Sequence, residues 1–340
     1  RVQASLETLL AETGPGFGRA LDARNLLMRT ADKTGDHPTV KRVGREVRRR
    51  HAAEGTRPSA HALFARAYVI AKYYWPERAL PLLEEASRLA QDEQNWDLEH
   101  LCRDGAGAVL KQLGRYRESL ENYELALALS RKTLDPLAEA TSLVNIAVTE
   151  MALGNFEHAA VRVLESAEID ERFPRWAFRV YRFHNHGVLF LLGGDLDRAE
   201  SEFRRAVSLS LEMGLWPISV VSLAGTALCA LRRSDVTQVH AICEQLELRL
   251  RGRRRVLHDR WMVEAALGWD SLLTFGSISQ TMDQLAPMRA ELQRRDVDSW
   301  LRLELQVLLQ QEFSIGEENP TMRHRLVEHC QRYGAAAIEK

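Results

Sequence analysis

Cysteine is scarce in this chain: Cys102, Cys229, Cys243 and Cys330 are four among 340 residues, and no two form a CxxC pair. Scattered cysteines build neither a disulfide framework nor a thiolate metal site. They fit a reducing, cytoplasmic setting in which the thiol is a small apolar group. HExxH and paired Cys/His sets are also missing, so no metal site is expected. No stretch approaches the roughly 18 apolar residues of a membrane span, and no cleavable signal is visible. Neither sign of charge is in excess: 46 Lys and Arg face 47 Asp and Glu, for a net charge of −1. No global field draws the chain to nucleic acid or to a membrane.

A regular spacing is present instead. Turn signatures stand at Tyr73-Tyr74-Trp75, Leu113-Gly114-Arg115, Leu153-Gly154-Asn155, Gly193-Gly194-Asp195 and Arg233-Ser234-Asp235, 40 residues apart each time. A small residue precedes each turn by seven: Ala67, Gly107, Ala147, Gly187 and Ala227. Self-similarity at a fixed period means stacked structural units, each burying its apolar face on its neighbours.

Within one unit, Leu143, Ile146, Ala147 and Met151 carry a helical period. Gly154-Asn155 breaks it, and Phe156, Ala159, Val163 and Ala167 resume it. That pattern predicts an antiparallel helix pair. Asp135-Pro136 supplies an N-cap and a first-turn proline, and Phe173-Pro174 and Trp216-Pro217 mark later openings. Small residues sit where the two helices cross, since bulk there would force them apart. Gly107 and Gly187 cost helix stability in mid-helix, and close backbone approach is the expected reason they are kept.

The order of residue types resembles the tetratricopeptide repeat. Phe183-x2-His186-Gly187-x2-Phe190 is followed by Ala199-x3-Phe203. Leu83, Tyr123, Val163 and Cys243 hold the position of Phe203 in the other units. The period departs from that family's usual value of about 34 by six extra residues, placed in helices or in connections. The resemblance implies an all-α, right-handed superhelical solenoid of about eight antiparallel helix pairs. Turns are expected near 35, 74, 114, 154, 194, 234, 276 and 316. The domain reading is an N-terminal helix with a degenerate capping repeat over 1–57, five regular repeats over 58–256 and two degenerate repeats over 257–340. Residues 2–12 read as an extra helix and Glu12–Gly18 as a joint.

Chemistry-bearing motifs are few. Gly14-Pro15-Gly16-Phe17-Gly18 lacks the Gly-Lys-Ser/Thr of a phosphate loop. His184 and His186 lie two apart and point in different directions on a helix, which suits packing better than clasping one metal. Basic runs at 41–50 and 249–255 read either as contacts for an anionic partner or as solvated helix ends, and neither interleaves aromatics that would stack bases. The seven tryptophans read as packing between repeats. No catalytic residue, cofactor or metal is expected.

In the tetratricopeptide family the first helix of each pair lines the concave side. The resemblance then places Phe64, Tyr68, Lys72, Lys111, Val144, Val148, Met151, Tyr181, His184, Val188, Leu191, Leu228 and Arg232 along a groove. An apolar floor with a few cations suits a protein or peptide partner or a small-molecule inducer. The family's chaperone-tail binders use asparagine and lysine where this chain has Val144, Val148, His184 and Val188, so that ligand is not expected. An apolar stripe can also be filled by the chain's own segments or by a second copy, leaving a homo-oligomer open. Long-period arrays of this kind resemble the sensor arms of bacterial signal-transduction ATPases and LuxR-type transcription regulators. The resemblance implies a non-enzymatic arm whose effector lies outside this chain. A free-standing adaptor or oligomerisation scaffold is the alternative. Neither nucleic acid nor membrane is an expected partner.

Overall fold

A computed structural model describes residues 18–34, 36–54, 59–173, 178–250, 260–275, 277–315 and 318–333. These residues form sixteen α-helices and no strand. In chain order they are α1 (Gly18–Lys33), α2 (His37–Glu54), α3 (Ala60–Tyr73), α4 (Leu80–Asp92), α5 (Trp96–Gln112), α6 (Tyr116–Lys132), α7 (Pro136–Ala152) and α8 (Phe156–Arg172). There follow α9 (Phe178–Leu192), α10 (Leu196–Glu212), α11 (Trp216–Arg232), α12 (Val236–Leu250), α13 (Arg260–Phe275), α14 (Ile278–Arg295), α15 (Val297–Ile315) and α16 (Pro320–Tyr333). They make eight consecutive pairs whose breaks coincide with the eight expected turns. The front helix expected at 2–12, most of the joint, the run at 251–255 and Trp176 lie outside the described residues.

Two compact units are distinguished: residues 1–110 with 121–142, and residues 111–120 with 143–340. In the first, α1, α2 and α3 share a core of Leu27, Met28, Ala31, Val40, Val43, Val47, Ala62 and Ala65, and α3 packs on α4. In the second, α9 packs on α10, α10 on α11 and α11 on α12 and α13. There α15 packs on α13, α14 and α16.

The six extra residues of the long period went into the helices. Helices α5, α6, α7, α8, α10 and α11 are each 17 residues long. The joints between them follow one plan. Gln94, Gly114, Leu134, Gly154, Gly194, Gly214 and Ser234 all take φ between 53° and 83° and are separated by 20 residues, or by 40 from Gly154 to Gly194. The next residue's amide then reaches five residues back, as from Asn155 to the Glu150 carbonyl at 2.9 Å and from Asp195 to Phe190 at 2.9 Å. This is a Schellman C-terminus. The same residue caps the following helix in several joints: Asn95, Asp135, Asp195 and Asp235 each accept an amide from the first turn. Joints within a pair and between pairs are therefore alike, and the sequence period of 40 contains a structural period of 20.

Leu134 is the misfit in this series. It holds φ at +55° with its side chain 86% exposed. A side chain in the left-handed region is strained and glycine is not. Leu134→Gly is expected to raise stability by about 0.5–1 kcal/mol, read as a higher urea midpoint. A lower midpoint would mean the leucine side chain contributes a contact that outweighs the strain.

The helix crossings follow side-chain size. A Cβ on Gly107 would stand 2.7 Å from the Tyr123 ring, and one on Gly187 would stand 2.6 Å from the ring of Phe203. Gly225 of α11 meets the same Phe203 ring from the other side, at 2.6 Å. Aromatic residues at this register thus face glycine. Where the residue is Leu83, Val163 or Cys243, the matching small position carries Ala67, Ala147 or Ala227, and all six are buried. Trp261, Trp269 and Trp300 are buried as well, as packing residues.

Candidate functional site

The stripe expected on the first helices divides between the two units. In the first unit, Phe64, Tyr68 and Lys72 follow one another at four-residue spacing on α3 and share a face. Phe64 is buried, with its ring 6.2 Å from that of Tyr68. Helix α1 brings Asp32 to the same face. The Tyr68 hydroxyl donates to Asp32 Oδ2 at 2.8 Å, and Lys72 Nζ lies 3.2 Å from Oδ1. Beside them Tyr73 Oη is 2.7 Å from His37 Nδ1. Burial, with Lys72 next, lowers the His37 pKa, while burial, with Asp32 next, raises that of Tyr73. A neutral imidazole and a protonated phenol thus share one hydrogen bond. The polar groups of this stretch are therefore spent on α1 and α2.

In the second unit the stripe is largely closed over. Val144, Met151, Val188, Leu191 and Leu228 are buried, Val148 and Tyr181 half-buried, and Arg232 exposed. His184 is 1% exposed. Its Nδ1 lies 3.0 Å from Ser222 Oγ on α11, and its ring packs 5.7 Å from Phe203. His100 and Ser142 make the same link in the first unit, at 3.2 Å. Both are cross-ties between successive first helices. His186 is buried near Arg182, with Nδ1 3.3 Å from that guanidinium. Burial, then Arg182 and Arg205, push its pKa down to about 3, so it stays neutral at physiological pH.

Helix α15 crosses the far end of the stripe. Asp298, Arg302, Leu305 and Gln306 fall on one face of it. Asp298 is the hub. The Tyr116 hydroxyl donates to its Oδ1 at 3.1 Å, Lys111 Nζ stands 3.6 Å from Oδ2, and Arg302 reaches both oxygens at 3.3 Å. Arg302 lies 5.8 Å from the Trp261 ring centre, and Gln306 Oε1 accepts from Trp269 Nε1 at 3.2 Å. Burial, with Asp298 next, pushes the Asp296 carboxyl up to about 6. Beneath α15 remains a hollow of about 40 Å³, lined by Leu191, Leu192, Leu228, Leu231, Arg232, Trp261, Arg302, Leu305 and Gln306. Arg232 donates to the Leu191 carbonyl at 2.7 Å and holds the rim. Three expected groove residues, Leu191, Leu228 and Arg232, meet here. Lys111 instead meets the buried charge cluster.

Reactive chemistry finds little footing. No group of three or more His, Cys, Asp or Glu residues that could hold a metal occurs among the described residues. All four cysteines are free and buried, and burial pushes the Cys102 and Cys229 thiols up to about 12. Thiols held protonated are poor nucleophiles. None of the described helices is long and apolar enough to cross a membrane. Asp32, Asp298 and Arg302 were not singled out from the sequence; Tyr116 stood out there only beside the turn at 114, and Trp261 only among the packing tryptophans. Helical spacing places the α15 residues on one face, but nothing in the repeat says which face of which helix receives them.

A tetratricopeptide repeat family profile matches residues 100–172. No curated protein sequence matches the chain. Among solved structures, a Rap protein complexed with Competence and Sporulation Factor is similar over 97% of this chain and 92% of its own, at 12% identity and a TM-score of 0.66. The apo quorum sensor NprR from B. thuringiensis is similar over 96% of this chain and 91% of its own, at 12% identity and a TM-score of 0.58. At such identities the likeness is one of fold: an all-helical, tetratricopeptide-type repeat.

Proposed function

We propose that this tetratricopeptide-type array is the non-catalytic, protein- or peptide-binding arm of a larger signalling or transcription regulator. The observation that carries the reading is the apolar hollow under α15, with the exposed Arg232 at its rim. An apolar side chain of a partner fits the leucine and tryptophan walls, and Arg232 suits an anionic group beside it. The likeness to two regulators of the same fold, one solved with a bound factor and one a quorum sensor, supports the reading. At about 40 Å³ the hollow is well below the roughly 150 Å³ that takes up benzene, so a side chain entering it shifts α15 aside. Binding then favours a state in which α15 is displaced, by as much as its affinity differs between the two states. An attached effector domain reads that shift.

The test uses a displayed random peptide library. Peptides selected on the protein should lose at least about tenfold in affinity, roughly 1.4 kcal/mol, on Val148→Glu with Arg232→Glu. Arg232 is exposed and Val148 packs half-buried against the core, so circular dichroism and thermal unfolding must show that the variant is folded. Equal binding by the folded variant would remove this face from consideration.

A further inference from the structure

Helix α2 concentrates positive charge on one side, where Lys41 also stands 4.8 Å over the Tyr73 ring. Its apolar side, Val40, Val43 and Val47, is buried in the first unit's core, and Gly44 lets Val69 approach to 2.5 Å of where a Cβ would stand. Its other side exposes Lys41, Arg42, Arg45 and Arg49. The four helical neighbours of Arg45, three and four residues away on each side, are Lys41, Arg42, Arg48 and Arg49. Like charges at these spacings repel and destabilise a helix. Glu46 is turned away, with an oxygen 3.1 Å from the buried Arg24. Neither Arg45 nor Arg49 has an ion-pair partner among the described residues.

Several other arginines at the surface are matched to an acid three or four residues along the same helix. Arg88 lies 3.2 Å from Asp92, Arg162 3.2 Å from Glu165, Arg204 2.6 Å from Glu200 and Arg205 2.6 Å from Glu202, and Arg115 pairs with Glu118. What sets α2 apart is density: residues 41–50 hold six cations and one acid in a chain of net charge −1.

We infer that the Lys41–Arg45–Arg49 ridge of α2 is a docking surface for an acidic protein partner, completed by carboxylates the chain itself does not supply. Successive ridge cations rise about 6 Å apart along the helix, the spacing of acids placed every fourth residue on a partner helix. Among its described positions the exposed face carries no aromatic residue for stacking bases and no large apolar side chain for entering a bilayer. Such a contact forms fast and weakens with salt. It involves a face distinct from the hollow under α15 and does not rest on that reading.

The experiment uses the full chain and three probes in fluorescence anisotropy: a capped helical peptide with glutamates every fourth residue, a peptide of identical composition with them scattered, and a DNA duplex. The row peptide should bind at least about fivefold tighter than the scattered one and weaken by about as much in Arg45→Gln with Arg49→Gln. That variant should unfold at the same temperature or about 1–3 °C higher, since it relieves repulsion. Tighter binding of the duplex would make the ridge a nucleic-acid surface. Equal binding of the two peptides, or no loss in the variant, would overturn the inference. A lower unfolding temperature would show that the cations serve the fold.

Discussion

Phe203→Ala is expected to cost the second unit about 3–5 kcal/mol, the usual range for emptying a fully packed aromatic position. Phe203 is 0% exposed, and its ring is wedged between Gly187 of α9 and Gly225 of α11. Neither glycine carries atoms that can move in to fill the space. The loss should appear as a lower urea midpoint and as faster amide exchange in α9, α10 and α11. Adding one methyl group from the other side gives a smaller effect. Gly187→Ala sets a carbon 2.6 Å from the ring and should cost about 1–3 kcal/mol. Combined with Phe203→Leu it should cost less than the sum of the two changes, because the smaller residue makes room. Strict additivity, or a Phe203→Ala loss below about 1 kcal/mol, would show that the ring is not the wedge described.

Asp298→Ala is the second large effect. It removes the acceptor shared by the Tyr116 hydroxyl, Lys111 and Arg302, of which Tyr116 and Arg302 are buried. Breaking a buried ion pair from one side costs about 3–5 kcal/mol, because the remaining charge keeps its desolvation penalty. Lys111 retains some access to water, so the larger part falls on Arg302. The sign reverses when all three charges go together. Lys111→Met with Asp298→Leu and Arg302→Leu, made in a Tyr116→Phe background so that no buried hydroxyl is orphaned, should be near neutral or stabilising. Hydrogen exchange should show α15 opening in the single variant and staying protected in the triple one. A triple variant as unstable as the single would mean the cluster's geometry matters more than its charge.

The regular part of the fold was legible because it repeats. A turn every 40 residues, a small residue seven before it and a bulky one in register on the second helix are statements one unit makes and the next confirms. Gly107 and Gly187 could be read as close-approach positions for that reason, and Tyr123 and Phe203 are what approach them. The uniform joints were half visible. Gly114, Gly154 and Gly194 announce themselves, but Gln94 and Leu134 adopt the same left-handed backbone without the residue that advertises it. The candidate site was legible as a face but not as a surface open to a partner. Asp32 sits 36 residues before Tyr68, and Asp298 sits 182 residues after Tyr116. Contacts that occur once leave no period to detect. The histidines fall between these cases. His184 and Ser222 lie 38 apart and His100 and Ser142 lie 42 apart, so the 40-residue step points to the neighbouring helix but not to the serine.

The three-residue joints leave this chain no slack. Each one closes a helix, reverses direction and caps the next helix within a single turn of backbone. One residue inserted in a helix between two joints would swing everything after it by about 100° around that helix, since a turn takes 3.6 residues. Buried and exposed sides would trade places for the rest of the array. Between helices joined this way, length can therefore change without scrambling the core only in whole blocks of 20 or 40; the longer connection from α3 to α4 is not bound by that rule.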